Sequence, residues 1–412
     1  MNRMKRNKPI YLFTVTLLLG LVIPGVLASN AMPLPIPHTI RSSLLPVDYG
    51  GGMGGGSGGN GGGYNGDRHT PYASSQPFIN QTKLVTQVAS TVPANGEVNP
   101  YGVAVVQSTS GTLVQGNVLV SNFNNKANQQ GTGTTIVQIA PDGSRTLFAQ
   151  LNSTNLPGAC PGGVGLTTAL VVLRSGWVIV GSLPTTDGTS ATAQAGCLIV
   201  LNNQGQAVEI FSGPEINGPW DMTAFEEGNH VALFVTNVLN GTVPANGTVV
   251  SQGTVIRLDL NIPNEGMPKV VSTTVIGSGF SQRTDPGALV IGPTGVALGT
   301  DGTLYVADTL ANRTAAIPNA VDRQTSAGMG LTISENGAIN TPLGLTVAPN
   351  GDIIVANAGN GNLVEITPNG NQVAVKTVES TGAGTLFGLA IAPLNAGVYF
   401  VDDGTNTLNL LH

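Results

Sequence analysis

Six times between Gly102 and the C-terminus the sequence runs through one pattern: an apolar strand carrying a small residue, a turn, and a second apolar strand ending in Asn, Asp or Ser. The second-strand endings are VLVSN at 118–122, VIVGS at 178–182, LFVTN at 233–237, LYVAD at 304–308, IIVAN at 353–357 and YFVDD at 399–403. The spacing is irregular, about 45 to 75 residues, which leaves room for four short strands per unit. A sheet of that size buries its faces only by stacking on neighbouring sheets, and a closed ring of sheets leaves no exposed end. The pattern therefore predicts an all-β fold, a six-bladed β-propeller.

The fifth unit shows the expected blade most plainly, with strands at 342–348, 352–357, 362–367 and 372–378. Its reversals, Pro349-Asn350-Gly351-Asp352 and Pro368-Asn369-Gly370-Asn371, combine a proline that fixes φ with an Asn-Gly pair that tolerates positive φ. The sixth unit lacks a fourth strand before the chain stops at His412. An unpaired sheet edge at that point would leave the ring open. The alternating segment at about 82–89, Thr82 to Ala89, is expected to fill it, so that the last blade is closed by an N-terminal strand.

Upstream of the repeats, residues 1–31 read as a signal peptide: a basic start (Arg3, Lys5, Arg6, Lys8), an apolar run from Tyr11 to Ile23, then small residues at Ala28 and Ala31. The apolar run is too short for a transmembrane anchor. Residues 32–77 are Pro-rich, then Gly-rich, without apolar periodicity, and read as a disordered tether; residues 78–412 are the propeller. The expected location is secreted, periplasmic or cell-surface. Cys160 and Cys197 are the only cysteines, and in an oxidising compartment they are expected to pair. Beyond residue 31 the chain holds 12 Lys and Arg against 22 Asp and Glu, a net charge of −10. That balance argues against nucleic acid as a partner.

LYVADTLANR at 304–313 and IIVANAGNGNLVEI at 353–366, each after a Gly-containing strand and an Asn-Gly or Asp-Gly turn, resemble the NHL repeat. NPYGVAVV, LVSNFNN, GTGTTIVQI and FVDDGTNTLNLL resemble a set of exported bacterial propellers of unassigned function. The resemblance implies a six-bladed ring, and more distantly it reaches streptogramin lyases, peptidyl-hydroxyglycine lyases and gluconolactonase-like enzymes. The two lyase groups rely on histidines. Here His38 and His69 fall in the tether, His230 opens a second strand at the opposite end and His412 is terminal, so the lyase pattern does not transfer. Gluconolactonase-like enzymes use carboxylates and amides around a divalent metal.

With strands A to D numbered outward from the axis, the D–A and B–C loops emerge on one face, here called the top. The B–C loops of units 1 to 4 look long, so the top face over blades 1–4 is the expected binding surface. Two rings of residues converge there. At the start of strand A stand Tyr101, Val164, Trp220, Thr294, Leu343 and Phe387, with Asp221 beside Trp220. Tyr101, Trp220, Asp221 and Phe387 are the ligand-binding candidates, as the floor of a shallow site or as a plug in the funnel. The strand B endings form the second ring, and Asn237, Asp308, Asn357 and Asp402 are its candidates for holding Ca²⁺. The same short side chains also suit capping of adjacent turns. The expected function is a binding or interaction module for a protein, glycan or small-molecule ligand, acting as a monomer. The alternative is a metal-assisted lactonase or lyase using top-face carboxylates.

Overall fold

Every repeat forms an antiparallel sheet, and the six inner strands touch one another in a closed cycle. The computed structural model describes residues 76–380 and 384–412; the expected signal peptide and nearly all of the expected tether lie outside them. In order A to D, blade 1 comprises Val98–Val105, Val118–Asn124, Thr135–Ile139 and Arg145–Gln150, and blade 2 comprises Leu166–Val172, Val178–Ser182, Cys197–Leu201 and Ala207–Phe211. Blade 3 has Pro219–Glu227, His230–Asn237, Val250–Asn261 and the long Lys269–Asp285, extended by Leu289–Ile291. Blade 4 has Pro293–Leu298, Leu304–Asp308, Arg313–Ile317 and Leu331–Glu335, and blade 5 Pro342–Val347, Ile353–Asn357, Asn362–Ile366 and Gln372–Thr377. Blade 6 takes Leu386–Ile391, Val398–Asp402 and Thr407–Leu411 from the C-terminus and Val85–Ser90 from the other end of the described chain.

That last strand closes the ring as the missing edge requires. Val85 pairs with Leu411 and Ser90 with Thr407, while the N–H groups of Lys83 and Leu84 both reach the carbonyl of His412. The segment before it is anchored too. Phe78–Asn80 forms one 3₁₀ turn whose free N–H groups at Phe78 and Ile79 donate to the buried Glu365 carboxylate at 2.7 and 2.8 Å. Ile79 is wholly buried among Ile354, Leu363, Leu389 and Phe400 of blades 5 and 6. A carboxylate taking N–H groups at the start of a helical turn satisfies donors that the turn itself leaves open.

How tightly the inner strands can approach is set by one position per blade. In blades 1, 4, 5 and 6 it is glycine: Gly102, Gly295, Gly344 and Gly388. A Cβ on Gly344 would come within 1.9 Å of the Phe387 carbonyl, on Gly295 within 2.4 Å of that of Leu343, and on Gly388 within 2.4 Å of that of Tyr101. The small residue of the repeat is thus a spacer between neighbouring blades. Blade 3 carries Asp221 at this position, and its carboxylate reaches over to accept the N–H of Val296 in blade 4 at 3.0 Å. Blade 2 carries Thr168 there, because its inner strand holds one more residue between its first pair, Leu166 with Ser182, and the resumption at Leu170 with Val180.

Strands B and C are almost completely buried, while outer strands alternate with solvent, as in Leu331–Glu335. Apolar side chains of adjacent blades fill the space between sheets, for instance Ile179, Leu198 and Val200 of blade 2 against Leu233, Val235 and Ile256 of blade 3. Each such side chain contributes about 1.5–3 kcal/mol on full burial. Stability therefore resides between blades rather than within any one of them.

Candidate functional site

The top face is capped. In blade 1 the B–C loop 125–134, in blade 2 the loop 183–196 and in blade 3 the loop 238–249, with a short helix at Thr242–Ala245, rise above the strand ends. They are joined across blades: Thr185 N–H and Oγ1 donate to the carbonyls of Gly131 and Gln130, and Gln129 Nε2 donates to that of Asp187. Gln130 Nε2 donates to the Gly287 carbonyl, reaching the hairpin tip between Asp285 and Leu289 of blade 3. Cys160 and Cys197 form a disulfide that ties the loop entering blade 2 to the start of its strand C. The expectation of a long B–C loop in blade 4 is corrected by the structure. Only four residues, 309–312, separate Asp308 from the start of strand C at Arg313, and the long connection of that blade, 318–330, lies at its opposite end. The cap therefore covers blades 1–3.

Beneath the cap the ring at the start of strand A is brought together. Tyr101 stacks on Phe387 at a centroid distance of 4.0 Å and on Phe123 at 4.4 Å, and Trp220 stands 6.0 Å from Tyr101 and 6.3 Å from Phe387. All four are buried, and Leu289 and Val290 from the blade 3 hairpin join the same apolar cluster, together with Leu183 and Val238 of the cap loops. Burial, then the nearby Asp403 carboxylate, push the Tyr101 phenol far above its ordinary value. Val164 is not part of this ring. It packs beside Cys197 and Leu151, two residues before the inner strand of blade 2 begins at Leu166. Leu289 and Val290 were not read as site residues from the sequence; their signal was an apolar Leu-Val-Ile run set between Gly287 and Gly292.

Asp221 lies below this layer, at the deep end of a central channel of about 450 Å³. The channel is walled by inner strands, including Val103, Leu170, Val296 and Leu389, and runs to Gln107, Arg174 and Glu226 at the bottom of the ring. Asp221 Oδ1 accepts the N–H of Met222 at 2.8 Å and Oδ2 that of Val296. Burial outweighs both bonds and raises the carboxyl to about 7.

The strand B endings are separate caps rather than one cluster. Asn237 Oδ1 accepts the N–H groups of Asn217 and Gly218. Asn357 accepts from Asn340 N–H and donates to the Ala338 carbonyl and Asn360. Asp402 takes the Gly404 N–H and the Thr405 hydroxyl, closing its own turn. Asp308 receives Arg313 Nε on Oδ2 at 2.9 Å, and burial raises its carboxyl against the pull of that guanidinium. Asp308 Oδ1, Asn122 Oδ1 and Asn237 Nδ2 remain without hydrogen-bond partners; the two oxygens are potential ligands, and a hard cation takes six or more oxygens. Among the described residues no group of three His, Cys, Asp or Glu side chains is placed to hold a metal ion. Each of Asn237, Asp308, Asn357 and Asp402 is engaged in its own turn or ion pair.

No family model matches the sequence, and no curated protein does. Many solved structures share the fold. A gluconolactonase from Xanthomonas campestris has a TM-score of 0.50 at 12% identity over 79% of this chain and 88% of that one. A luciferin-regenerating enzyme has a TM-score of 0.50 at 13% identity over 79% and 94%. A streptogramin B lyase has 0.46 at 15% over 79% and 96%. Likeness at such identity establishes the propeller and nothing of the chemistry.

Proposed function

We propose that this protein is an exported binding module whose contact surface is the cap over blades 1–3. The observation that carries this reading is the cross-blade bonding of the cap, from Thr185 to Gln130 and from Gln130 to Gly287, above a sealed aromatic layer. Loops fixed to one another before a partner arrives lose little entropy on binding, which favours recognition by a surface of preset shape. With Tyr101, Trp220 and Phe387 buried in that layer, their role in this reading is to support the surface above them. The disulfide suits an oxidising compartment, in keeping with the signal-peptide reading of residues 1–31.

A second reading, a metal-assisted lactonase or lyase, draws on the fold shared with the gluconolactonase. It would need Asp308 freed from Arg313, and Asn237, Asn357 and Asp402 freed from their turns. One experiment separates the two. Proteins from the culture medium of the producing cell and a glycan array are applied to the immobilised chain, and to a variant in which residues 125–131 are replaced by a Gly-Ser loop of equal length. Binding present in the parent and lost in an equally stable variant supports the module. Ca²⁺-dependent opening of a lactone, abolished by Asp308→Asn, overturns it in favour of the enzyme.

A further inference from the structure

The bottom of the ring, away from the cap, holds a second cleft of about 390 Å³ between blades 2 and 3. Three tight turns and one seven-residue connection build it. Ser175, Gly176 and Trp177 come from the A–B turn of blade 2, Asn202 and Asn203 from its C–D turn, Asn229 from the A–B turn of blade 3, and Ile262, Pro263, Asn264 and Gly266 from its C–D connection. Backbone hydrogen bonds hold them. Gly176 N–H donates to the Leu173 carbonyl with φ at 87°, Gly205 N–H to that of Asn202 with φ at 76°, and Ile262 N–H to that of Asn229 at 2.7 Å. Asn203 is held from a third blade, donating Nδ2 to Ser110 Oγ at 2.8 Å while its carbonyl accepts from Thr112.

The chemistry of the lining is unusual for this molecule. Trp177 is one of only two tryptophans in the chain, half-buried with its body on the apolar packing of blades 2 and 3. Its indole N–H has no partner among the described residues and is not sealed from solvent. Around it stand four asparagines and a serine, and no side chain of the lining is ionisable. Asn229 Nδ2 donates to Asn264 Oδ1 at 3.4 Å, which leaves Asn229 Oδ1 as a spare acceptor and Asn264 Nδ2 as a spare donor. The cleft thus offers an aromatic surface with an N–H donor beside paired amide donors and acceptors, without a charge.

We infer that this cleft binds a neutral carbohydrate, with a pyranose ring against Trp177 and its hydroxyls on Asn229 and Asn264. A pyranose presents C–H groups of slight positive character on one face, which suit the negative face of an indole. Its hydroxyls each donate and accept, as the side-chain amide does. An anionic ligand would find no cation in the lining and the Glu265 carboxylate next to it, and a purely apolar one would strip water from the amides without replacing it. The site is independent of the cap: it uses other turns at the other end of blades 2 and 3.

The test uses the full chain and the fluorescence of Trp177, since Trp220 is 5% exposed within the aromatic layer. Cellotetraose, chitotetraose and maltotetraose are titrated to about 10 mM, the range of weak binding, with tetragalacturonate as the charged control. The expected result is a saturable change in emission for at least one neutral tetrasaccharide and none for the control. Asn264→Ala and Asn229→Ala, exposed positions whose loss leaves the fold intact, should each weaken binding about 3- to 10-fold, and Trp177→Ala should abolish it as read by calorimetry. Should Trp177→Ala melt early, Trp177→Phe, which keeps the ring and loses the N–H, is expected to retain weakened binding. The inference is overturned if none of the three neutral sugars binds, if tetragalacturonate binds equally well, or if both asparagine variants bind like the parent.

Discussion

The two ends of the central channel are built from the same six inner strands and have opposite characters. At the top, loops as long as 183–196 converge and the mouth is closed by Tyr101, Phe387 and Trp220 with Leu289 and Val290 over them. At the bottom, most connections are tight turns, yet both the channel and the Trp177 cleft open there. Loop length and openness are therefore inversely related in this protein. Long loops that carry apolar residues such as Leu183, Val238 and Leu289 fold inward and bury them, whereas short polar turns cannot cover the space between blades. The top is suited to presenting a surface, and the bottom to enclosing a small ligand.

The contrast exists only in a closed ring, so its severest test is removal of the closing strand. Deleting residues 76–90 should abolish the cooperative thermal transition and the tertiary near-UV signal of the whole propeller; a deletion variant that melts like the parent would show that closure comes from elsewhere.

The disulfide sharpens the comparison because it belongs to the capped end alone. Replacing Cys160 and Cys197 with alanine releases a loop of 37 residues, worth about 3–4 kcal/mol in the chain-entropy account. What distinguishes it is location. Amide exchange should quicken in 158–165 and 183–197, and the turn at Asn202–Gln206 should be unchanged. A smaller effect is expected from Gly344→Ala. Its Cβ meets the Phe387 carbonyl of blade 6, a backbone atom that cannot swing away. A loss of about 1–3 kcal/mol in denaturant unfolding is expected, as for overpacking generally.

The smallest effect concerns Asp221, at the boundary between the sealed and open ends. Its carboxyl, and that of Asp403 at the top of blade 6, are each raised to about 7 by burial, Asp403 also by Asp402. Between about pH 4 and 7 the folded chain holds these protons while the unfolded chain, titrating near 3.8, has released them. Stability should consequently fall as the pH rises through that window and level off above it. Asp221→Asn should flatten part of the slope, at a cost of about 1 kcal/mol for a poorer acceptor of the Val296 N–H. An unchanged pH profile in the variant would remove Asp221 from the account.

Much of this architecture was legible in the residues. The strand endings from VLVSN to YFVDD gave the number of blades, because apolar alternation and Asn-Gly turns are local signals that survive in any context. The unpaired edge of the last unit gave the closing strand to within a few residues, since backbone hydrogen bonding must be satisfied somewhere. The pairing of Cys160 with Cys197 followed from their number alone.

What the sequence could not determine depended on register and on contacts distant along the chain. Val164 precedes a glycine as Tyr101 does, yet the inner strand of blade 2 begins only at Leu166, and Val164 packs with Cys197 outside the aromatic layer. Asp308 ends its strand like Asn357, but only the pairing with strand C brings Arg313 onto its carboxylate and turns a potential ligand into half of an ion pair. The aromatic layer needed residues from blades 1, 3 and 6 and the blade 3 hairpin to meet, and the Trp177 cleft needed four connections from two blades. The sequence determined the repeating unit, since hydrophobic period and turn chemistry act over a few residues. Which mouth closes and which stays open was decided by the tertiary structure, where burial is a property of surfaces that meet only once the ring has closed.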